Sequence, residues 1–216
     1  MKVKSKTEVL IFDIGNVLLD FDLAPIANGF AECSGRERDE IFSYIFRSGL
    51  SESFDRGEIS EQEFYSSVTA RFPMNLSYEN FRRIACDIFT EKPAINSIIK
   101  SLKDHFELGI LSNTNKMHFE HIQSAYPLMR HFKDYHLSYR LKLLKPDSEI
   151  YKQLINFYGT APERIFYTDD ILENVLSARE QGINAFHFKS AEQLVTDLKS
   201  AGIVFFERSL LNTRTS

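Results

Sequence analysis

The run Val9-Leu10-Ile11-Phe12-Asp13-Ile14-Gly15-Asn16-Val17 places a carboxylate directly after four large apolar residues. A short apolar run that stops at a turn is typical of a strand buried on both faces, as in a parallel sheet. Gly15 predicts the turn, so Asp13 would lie at the carboxyl end of this strand. Ligands bind at that edge of an open parallel sheet. We therefore expect Asp13 to act there as a nucleophile or as a metal ligand.

Further short runs rich in Ile, Leu, Val, Phe and Tyr predict a set of strands, at about residues 8–12, 107–111, 135–138, 164–168 and 184–188. Helical patterns separate the later strands, and two of these helices are followed by glycine, Gly159 and Gly182, the usual residue just past a helix end. Strands that alternate with helices indicate a parallel sheet covered on both faces. The predicted fold class is therefore α/β, a three-layer, doubly wound parallel sheet.

The stretch from residue 22 to 90 differs, because it shows helical periods and no convincing strand. Apolar residues follow one helical face from Arg36 to Arg47, and Ser60-Glu61-Gln62-Glu63 is a capping box. Ser77 is a candidate N-cap for a helix over residues 78–89. We predict a core domain of residues 1–21 and 91–216 and an inserted helical cap of residues 22–90.

Composition and charge indicate an ordinary globular protein of 216 residues with a net charge of -4. That charge argues against non-specific binding to nucleic acid or to an anionic membrane, since both need a basic excess. The apolar run before Asp13 is too short for a signal-peptide core or a membrane span, so we expect a cytoplasmic location. Cys33 and Cys86 form no disulfide framework, and both are predicted to be buried thiols. The polar end, residues 209–216, is predicted to be frayed.

Three later fragments follow strand-like runs or short loops as Asp13 does. They are Leu111-Ser112-Asn113-Thr114-Asn115, Leu144-Lys145-Pro146, and Phe166-Tyr167-Thr168-Asp169-Asp170 with Asn174 beyond. Because parallel strands end at the same sheet edge, we expect these fragments to meet Asp13 there. Each fragment alone is a weak signal, whereas the four in this order predict a site.

The chemistry of this set points to phosphoryl transfer. Three converging carboxylates repel each other unless a cation neutralises them, and hard oxygen ligands suit Mg²⁺. Lys145 adds a point charge, while Ser112 and the amides around Asn113, at a helix N-terminus, form a cradle for an oxyanion. Together these groups predict transfer through an aspartyl-phosphate on Asp13.

The four motifs resemble, in order and rough spacing, those of the haloacid dehalogenase-like hydrolase superfamily. The resemblance covers about residues 8–190, and residues 22–90 are similar to that family's helical cap. It implies Mg²⁺ as cofactor and a small phosphorylated metabolite as substrate. The residues implied for catalysis are Asp13, Lys145 and Ser112; those for substrate binding are Ser112, Asn113, Lys145 and Asn174; those for the metal are Asp13, the carbonyl of Gly15, Asp169 and Asp170.

Gly15 is a departure from the pattern of the superfamily's phosphatases. These usually carry a second aspartate there, which protonates the leaving oxygen and then activates water. The form Asp-x-Gly-Asn-Val resembles a subgroup that includes phosphatases acting on sugar phosphates such as glucose 1-phosphate. A good leaving group, such as an anomeric hydroxyl, would need the missing acid less. Asp20 and Asp22 are interpreted as structural residues at the entry to the cap.

Two other functions stay open at this point. The superfamily's 2-haloacid dehalogenases also lack the second aspartate, but they use no metal, so Asp169 and Asp170 favour the phosphatase. A non-catalytic protein that binds a phosphometabolite or a protein partner is the third interpretation. Among cap residues, Arg47, Arg56 and Glu58 are candidates to face the site. The sequence does not indicate an oligomeric state.

Overall fold

The structure, a computed structural model, describes residues 7–203 and is built on a five-stranded, all-parallel sheet. The strands of this sheet are β1 (Val9–Phe12), β4 (Glu107–Ser112), β5 (Asp134–Leu137), β6 (Ile165–Asp169) and β7 (Asn184–His187), with β2 (Leu19–Phe21) and β3 (Phe89–Glu91) paired separately. The strand order is β5-β4-β1-β6-β7. The five predicted strands and the α/β class are confirmed.

Strand β1 is central, which explains its apolar sequence. Phe12 lies opposite Ile110 of β4 on one side and Thr168 of β6 on the other. Leu10 and Phe12 pack into one core, whereas Val9 and Ile11 pack into the core on the opposite face. Side chains alternate along a strand, so a strand covered on both faces needs apolar residues at every position.

Helices cover both faces of the sheet. They are α6 (Pro93–Leu102), α7 (Lys116–Ala125), α8 (Ser138–Leu141), α9 (Ser148–Tyr158), α10 (Leu172–Glu180) and α11 (Ala191–Ser200). Helices α6, α7 and α11 pack into one core and α9 and α10 into the other, which gives the predicted three layers. Gly159 follows α9 with a φ of 59° and Gly182 follows α10 with a φ of 84°, as expected for left-handed residues past helix ends.

A helical segment with its own core lies between β2 and β3. Its helices are α1 (Ala24–Ser34), α2 (Arg38–Phe46), α3 (Leu50–Asp55), α4 (Glu61–Arg71) and α5 (Tyr78–Cys86). Stacked rings hold these helices together: the ring centroids are 4.5 Å apart for Phe30 and Phe81, and 4.6 Å apart for Phe54 and Phe64. The predicted capping box at Ser60 and the N-cap at Ser77 are both present. We call α1–α5 the cap.

The two-stranded ribbon was missed by the sequence analysis. Strands β2 and β3 pair antiparallel, with Leu19 opposite Glu91, and each has three residues. Runs this short carry little periodicity, and their pairing joins residues about seventy positions apart in the chain. The ribbon brings the entry and the exit of the cap side by side, next to the loop that follows Asp13.

Three further expectations concern the two cysteines, membrane-spanning helices and the end of the sequence. Cys86 is buried as predicted, but Cys33 is exposed near the end of α1, so the prediction for Cys33 was wrong. Within residues 7–203 no helix has the length and apolar character needed to cross a membrane. The end at residues 209–216 lies outside the described residues.

Candidate active site

Asp13 lies directly after β1 at the carboxyl edge of the sheet. Its backbone N–H donates to the carbonyl oxygen of Thr168 over 3.1 Å, which continues the pairing of β1 with β6 by one residue. The side chain is 9% exposed, and its Oδ1 accepts from the N–H of Ile14 over 2.8 Å. The Ser112 hydroxyl donates to the same carboxylate. Asp13 is therefore held by both neighbouring strands in the position that the sequence predicted.

Lys145 joins two of the three predicted carboxylates. Its Nζ is 3.0 Å from Oδ1 of Asp13 and 2.6 Å from Oδ2 of Asp169, and it donates to the carbonyl of Leu111 over 3.1 Å. Burial opposes the ammonium charge, but the two carboxylates outweigh burial and raise the pKa of Lys145 above its usual value. Lys145 is therefore a charged lysine at the bottom of the site.

Asp169 is the most heavily bonded carboxylate of the site. Its oxygens accept from Lys145, from the Tyr167 hydroxyl, from the N–H of Ile171 over 2.8 Å and from Nδ2 of Asn174 over 3.0 and 3.1 Å. Burial works against its charge, yet Lys145 and these hydrogen bonds hold its pKa below the usual value. The structure therefore places Asn174, expected to bind substrate, against Asp169 and buried.

Burial raises the pKa of Asp13 to about 6, with Lys145 opposing the shift and Asp169 adding to it. Lys145 and the other hydrogen-bond donors outweigh burial at Asp169, whereas at Asp13 burial outweighs Lys145 and the nearby Asp169 charge adds to the shift. A further cation near Asp13 would bring its pKa down and keep it ionised.

Asp170 completes an acidic cluster with Asp13 and Asp169. One carboxylate oxygen from each residue lies within 4.8 Å of the others. Oδ2 of Asp170 accepts from Nδ2 of Asn16 over 2.9 Å, and Asn16 has a φ of 54° in the turn after Asp13. Three carboxylates and the Lys145 ammonium leave a formal charge of -2, so the oxygen donors and the unbalanced charge both fit Mg²⁺.

The Asn113 side chain ties two loops together. Its Nδ2 donates to the carbonyl of Lys145 over 2.9 Å, and its Oδ1 accepts from the N–H of Lys145 over 2.8 Å. The N–H of Thr114 donates to the Ser138 hydroxyl over 2.9 Å. The Asn113 side chain thus positions Lys145, so the predicted oxyanion cradle is reduced to the Asn113 backbone and the Ser112 hydroxyl, which here donates to Asp13.

The position of the missing acid is filled by an aromatic ring. A Cβ atom added to Gly15 would lie 2.9 Å from Cε1 and 3.3 Å from Cδ1 of Phe21. Phe21 is the last residue of β2 and is 37% exposed. The ribbon that the sequence did not predict is therefore what closes the space beside Gly15. Asp20 and Asp22 are structural as expected: Asp20 pairs with Lys92, and Asp22 accepts from the N–H of Ala24.

A cavity of about 290 Å³ extends from this site to the cap. Gly15, Ser112 and Asn113 line one end of it, and residues of α1, α2 and α3 line its walls. The three cap residues proposed from the sequence do not line it. Arg56 forms ion pairs with Glu52 and Glu58 that are partly open to solvent, and Arg47 lies over the Phe42 ring. The cap carboxylate in the cavity lining is Asp55, which the sequence analysis missed.

Asp55 is held across the junction between cap and core. Nδ2 of Asn115, the N-cap residue of α7, donates to Oδ1 of Asp55 over 2.9 Å and to Nδ1 of His118 over 3.2 Å. The other ring nitrogen of His118 donates to the carbonyl of Ala85 over 3.0 Å. Burial lowers the pKa of His118 to about 4, so the ring is neutral at pH 7 and suits this tautomer. His118 is therefore a support for Asn115.

We expect the Asp55→Asn variant to be more stable than the parent protein above pH 6. Burial raises the pKa of Asp55 to about 6, against the hydrogen bond from Asn115 that lowers it. A carboxyl with a raised pKa stabilises the fold while protonated, and this contribution is lost as pH rises from about 4 to about 6. Thermal unfolding measured between pH 4 and pH 8 checks this. The gain in Tm should be present at pH 8 and shrink towards pH 4.

The matched control is Glu58→Gln, which removes a half-exposed carboxylate of the same cap. Its Tm should follow the parent protein at every pH. A difference between Asp55→Asn and the parent that does not change with pH would contradict the assignment of a raised pKa to Asp55.

Together the sheet and this cluster define a class of protein, the capped α/β proteins with a carboxylate-centred site at the sheet edge. The chain belongs to the family of haloacid dehalogenase-like hydrolases, whose family model matches residues 7–188. It is 23% identical over 184 residues to a D-ribitol-5-phosphate phosphatase of Bacteroides thetaiotaomicron, covering 82% of this chain and 89% of that protein.

Two solved structures show the same fold. A HAD-family enzyme from Bacteroides thetaiotaomicron, in complex with magnesium and inorganic phosphate, has a TM-score of 0.77 and 23% identity, covering 85% of this chain and 94% of that chain. An L-2-haloacid dehalogenase from Xanthobacter autotrophicus, with chloropropionic acid covalently bound, has a TM-score of 0.61 and 16% identity, covering 92% and 84%. The fold of this chain is thus shared with both solved structures.

Proposed function

We propose that this protein is a Mg²⁺-dependent phosphomonoester hydrolase that acts on a small phosphometabolite through an aspartyl-phosphate on Asp13. The observation that carries the proposal is the cluster of Asp13, Asp169 and Asp170 around Lys145, since its charge of -2 needs a divalent cation. The similarity to a D-ribitol-5-phosphate phosphatase, and to a HAD-family enzyme that binds magnesium and inorganic phosphate, supports it.

In this proposal each site residue has its own role in the reaction. Asp13 attacks phosphorus, and the ester oxygen leaves and takes a proton from water, since Gly15 carries no acid; a second water then hydrolyses the phosphoryl group from Asp13 and gives inorganic phosphate. The predicted metal residues are Asp13, the Gly15 carbonyl, Asp169 and Asp170, and the metal would supply charge neutralisation for the phosphoryl oxygens when bound. We assign Asp169 to the position of Lys145 and the direct metal bonds to the other three, because the Asp169 oxygens already accept from four donor groups. Ser112 and the Asn113 backbone donate to the phosphate, and Asn174 and the Asn113 side chain position Asp169 and Lys145.

The same observations argue against the two alternative functions, a dehalogenase and a non-catalytic binding protein. A metal-independent dehalogenase has no use for Asp170, which the Asn16 amide holds beside Asp13 and Asp169. A non-catalytic binding protein has no use for a nucleophile that is buried, bonded by Ser112 and paired with Lys145.

The proposal also includes the domain bounds and the location. It assigns residues 1–21 and 91–216 to the core, residues 22–90 to the cap, and the protein to the cytoplasm. The exposed free thiol of Cys33 suits a reducing compartment.

Phosphate release from para-nitrophenyl phosphate and from a panel of sugar phosphates tests the proposal. We expect release with Mg²⁺ and a loss of roughly a hundredfold or more with chelator, because the cluster is unbalanced without its cation. Restored activity on adding back Mg²⁺ is the control. Folded protein that releases no phosphate, but releases halide from 2-chloropropionate without metal, would establish the dehalogenase instead.

Installing the missing acid needs a second change, because of Phe21. We expect Gly15→Asp alone to gain little, since its Cβ would lie 2.9 Å from the Phe21 ring. Gly15→Asp with Phe21→Ala should raise turnover of alkyl phosphates, up to about a hundredfold, more than turnover of aryl phosphates, because poor leaving groups depend on an acid. Phe21→Ala alone is the control. Equal gains on both kinds of ester would contradict this account of Gly15.

A further inference from the structure

The cavity that adjoins Asp13 has an unusual lining for a site that takes a sugar or a polyol. Its walls are largely aliphatic and aromatic, with Leu23, Ile26, Phe46, Phe54, Phe89 and Met117 among them. Each substrate hydroxyl against such a wall loses its hydrogen bonds to water without a replacement. An apolar wall therefore selects against a leaving alcohol with many hydroxyls.

One polar spot interrupts the apolar wall on the cap side. Ser51 and Asp55, four residues apart on α3, both line the cavity. Residues spaced this way lie on the same face of a helix. The spot lines the same cavity as Gly15, in the loop after Asp13, and Ser112, at the end of β4, so a leaving group bound at Asp13 would share this cavity with Asp55.

The neighbouring polar side chains already have their partners. Both ring nitrogens of His118 are bonded, to Asn115 and to the Ala85 carbonyl. The amide of Asn115 donates to Asp55 and His118, and its oxygen accepts from the N–H of His118 over 2.9 Å. A carboxylate has about four acceptor sites, so after one bond from Asn115 the Asp55 carboxylate keeps capacity for a donor in the cavity.

The anchoring of Asp55 also makes it a precise acceptor. Asn115 cannot rotate away without breaking the N-cap of α7, and the Ser138 hydroxyl donates to the Asp55 carbonyl over 2.6 Å. Asp55 is thus held by the core although it belongs to the cap. Acceptors held by a second set of contacts recognise a ligand at low entropic cost.

We propose that Asp55 is a specificity-determining residue that accepts a hydrogen bond from a terminal hydroxyl of a mostly apolar leaving alcohol. The substrate class is then a phosphate monoester of a small amphipathic alcohol with one distal hydroxyl. The inference rests on the proposed phosphatase function and goes beyond it, since a sugar-phosphate phosphatase would need several polar partners here.

Three phosphate esters with the same five-carbon chain test the inference: pentyl phosphate, its ω-hydroxy derivative, and D-ribitol 5-phosphate. They differ in the number of free hydroxyls. With Mg²⁺ present, we expect kcat/KM to be highest for ω-hydroxypentyl phosphate, by about tenfold over each of the other two. Para-nitrophenyl phosphate is measured in parallel as a test of hydrolysis itself.

The Asp55→Leu variant then tests the residue, because leucine can neither donate nor accept a hydrogen bond. The preference for the ω-hydroxy ester over the pentyl ester should fall from about tenfold to about onefold, mainly through KM, because binding of the hydroxyl is lost. Glu58→Gln should keep the parent preference. Circular dichroism and Tm establish that the variants fold, and the ester series on the parent protein does not depend on any variant.

Each outcome has a separate meaning. A parent protein that prefers D-ribitol 5-phosphate, or an Asp55→Leu variant that keeps the parent preference, would overturn this inference while the phosphatase stands. If the folded protein with Mg²⁺ hydrolyses none of the four esters, both the proposed function and this inference are overturned.

Discussion

The Asp13→Asn variant should lose phosphatase activity by roughly ten-thousandfold or more, because a carboxamide is a poor nucleophile in place of the carboxylate. The loss should appear in kcat with every ester, since all substrates share this step. Single-turnover assays with Mg²⁺ should detect no phosphorylated protein.

The fold should survive this substitution. Asparagine keeps the shape of aspartate, and Lys145 keeps its contact with Asp169 at 2.6 Å. The carboxyl that is lost is one whose pKa burial raises to about 6, so its charge is held at a cost. We expect a Tm within a few degrees of the parent value. Asp104→Asn, which removes an exposed carboxylate paired with Lys103, is the matched control and should keep full activity. Substantial turnover by Asp13→Asn would refute the mechanism.

Replacing Lys145 with methionine should affect both activity and stability. Methionine fills much of the space of the lysine chain but leaves Asp13 and Asp169 close together without their shared cation. Removing one partner of a buried ion pair costs about 3 kcal/mol or more of unfolding free energy. Loss of one preorganised charge at a reacting phosphate lowers kcat by about a hundred- to a thousandfold.

The response of Tm to Mg²⁺ gives a further test of the role of Lys145. Because a divalent cation can take over part of the neutralisation, Mg²⁺ should raise the Tm of Lys145→Met by more than it raises the Tm of the parent protein. Lys152→Met, at an exposed lysine of α9 that lies 3.6 Å from Glu149, is the control and should change neither quantity. A Lys145→Met variant with the parent stability and no added response to Mg²⁺ would mean that the lysine does not hold the two carboxylates together.

The sequence was informative wherever function and structure depend on local pattern. The run Val9–Phe12 is apolar at every position, and a strand between two layers requires that, so both the strand and the layers could be predicted from it. The turn at Gly15 then located Asp13 at the sheet edge. The fragments around Ser112, Lys145 and Asp169 each followed a recognisable strand or loop, so the parallel topology was enough to predict their meeting.

The sequence did not predict the hydrogen-bond partners of the site side chains, because these partners depend on packing between distant segments. Asn174 and the Asn113 side chain were expected at the phosphate, yet one holds Asp169 and the other holds Lys145. Tyr167 and Asn16 were quoted within motifs but were given no role, because nothing local shows that their polar atoms reach Asp169 and Asp170. The roles of the predicted site residues stay predictions until the variants are measured.

The sequence by itself determined the order of the layers, the capped architecture and the edge at which the carboxylates gather, because periodicity and turn residues act over a few positions. Tertiary structure alone decided that Phe21 closes the space beside Gly15 and that Asp55 meets Asn115 across sixty residues of chain. The physical reason is that a side chain's neighbours across the cap junction are set by how two separate cores dock, and no local pattern in either segment encodes that docking.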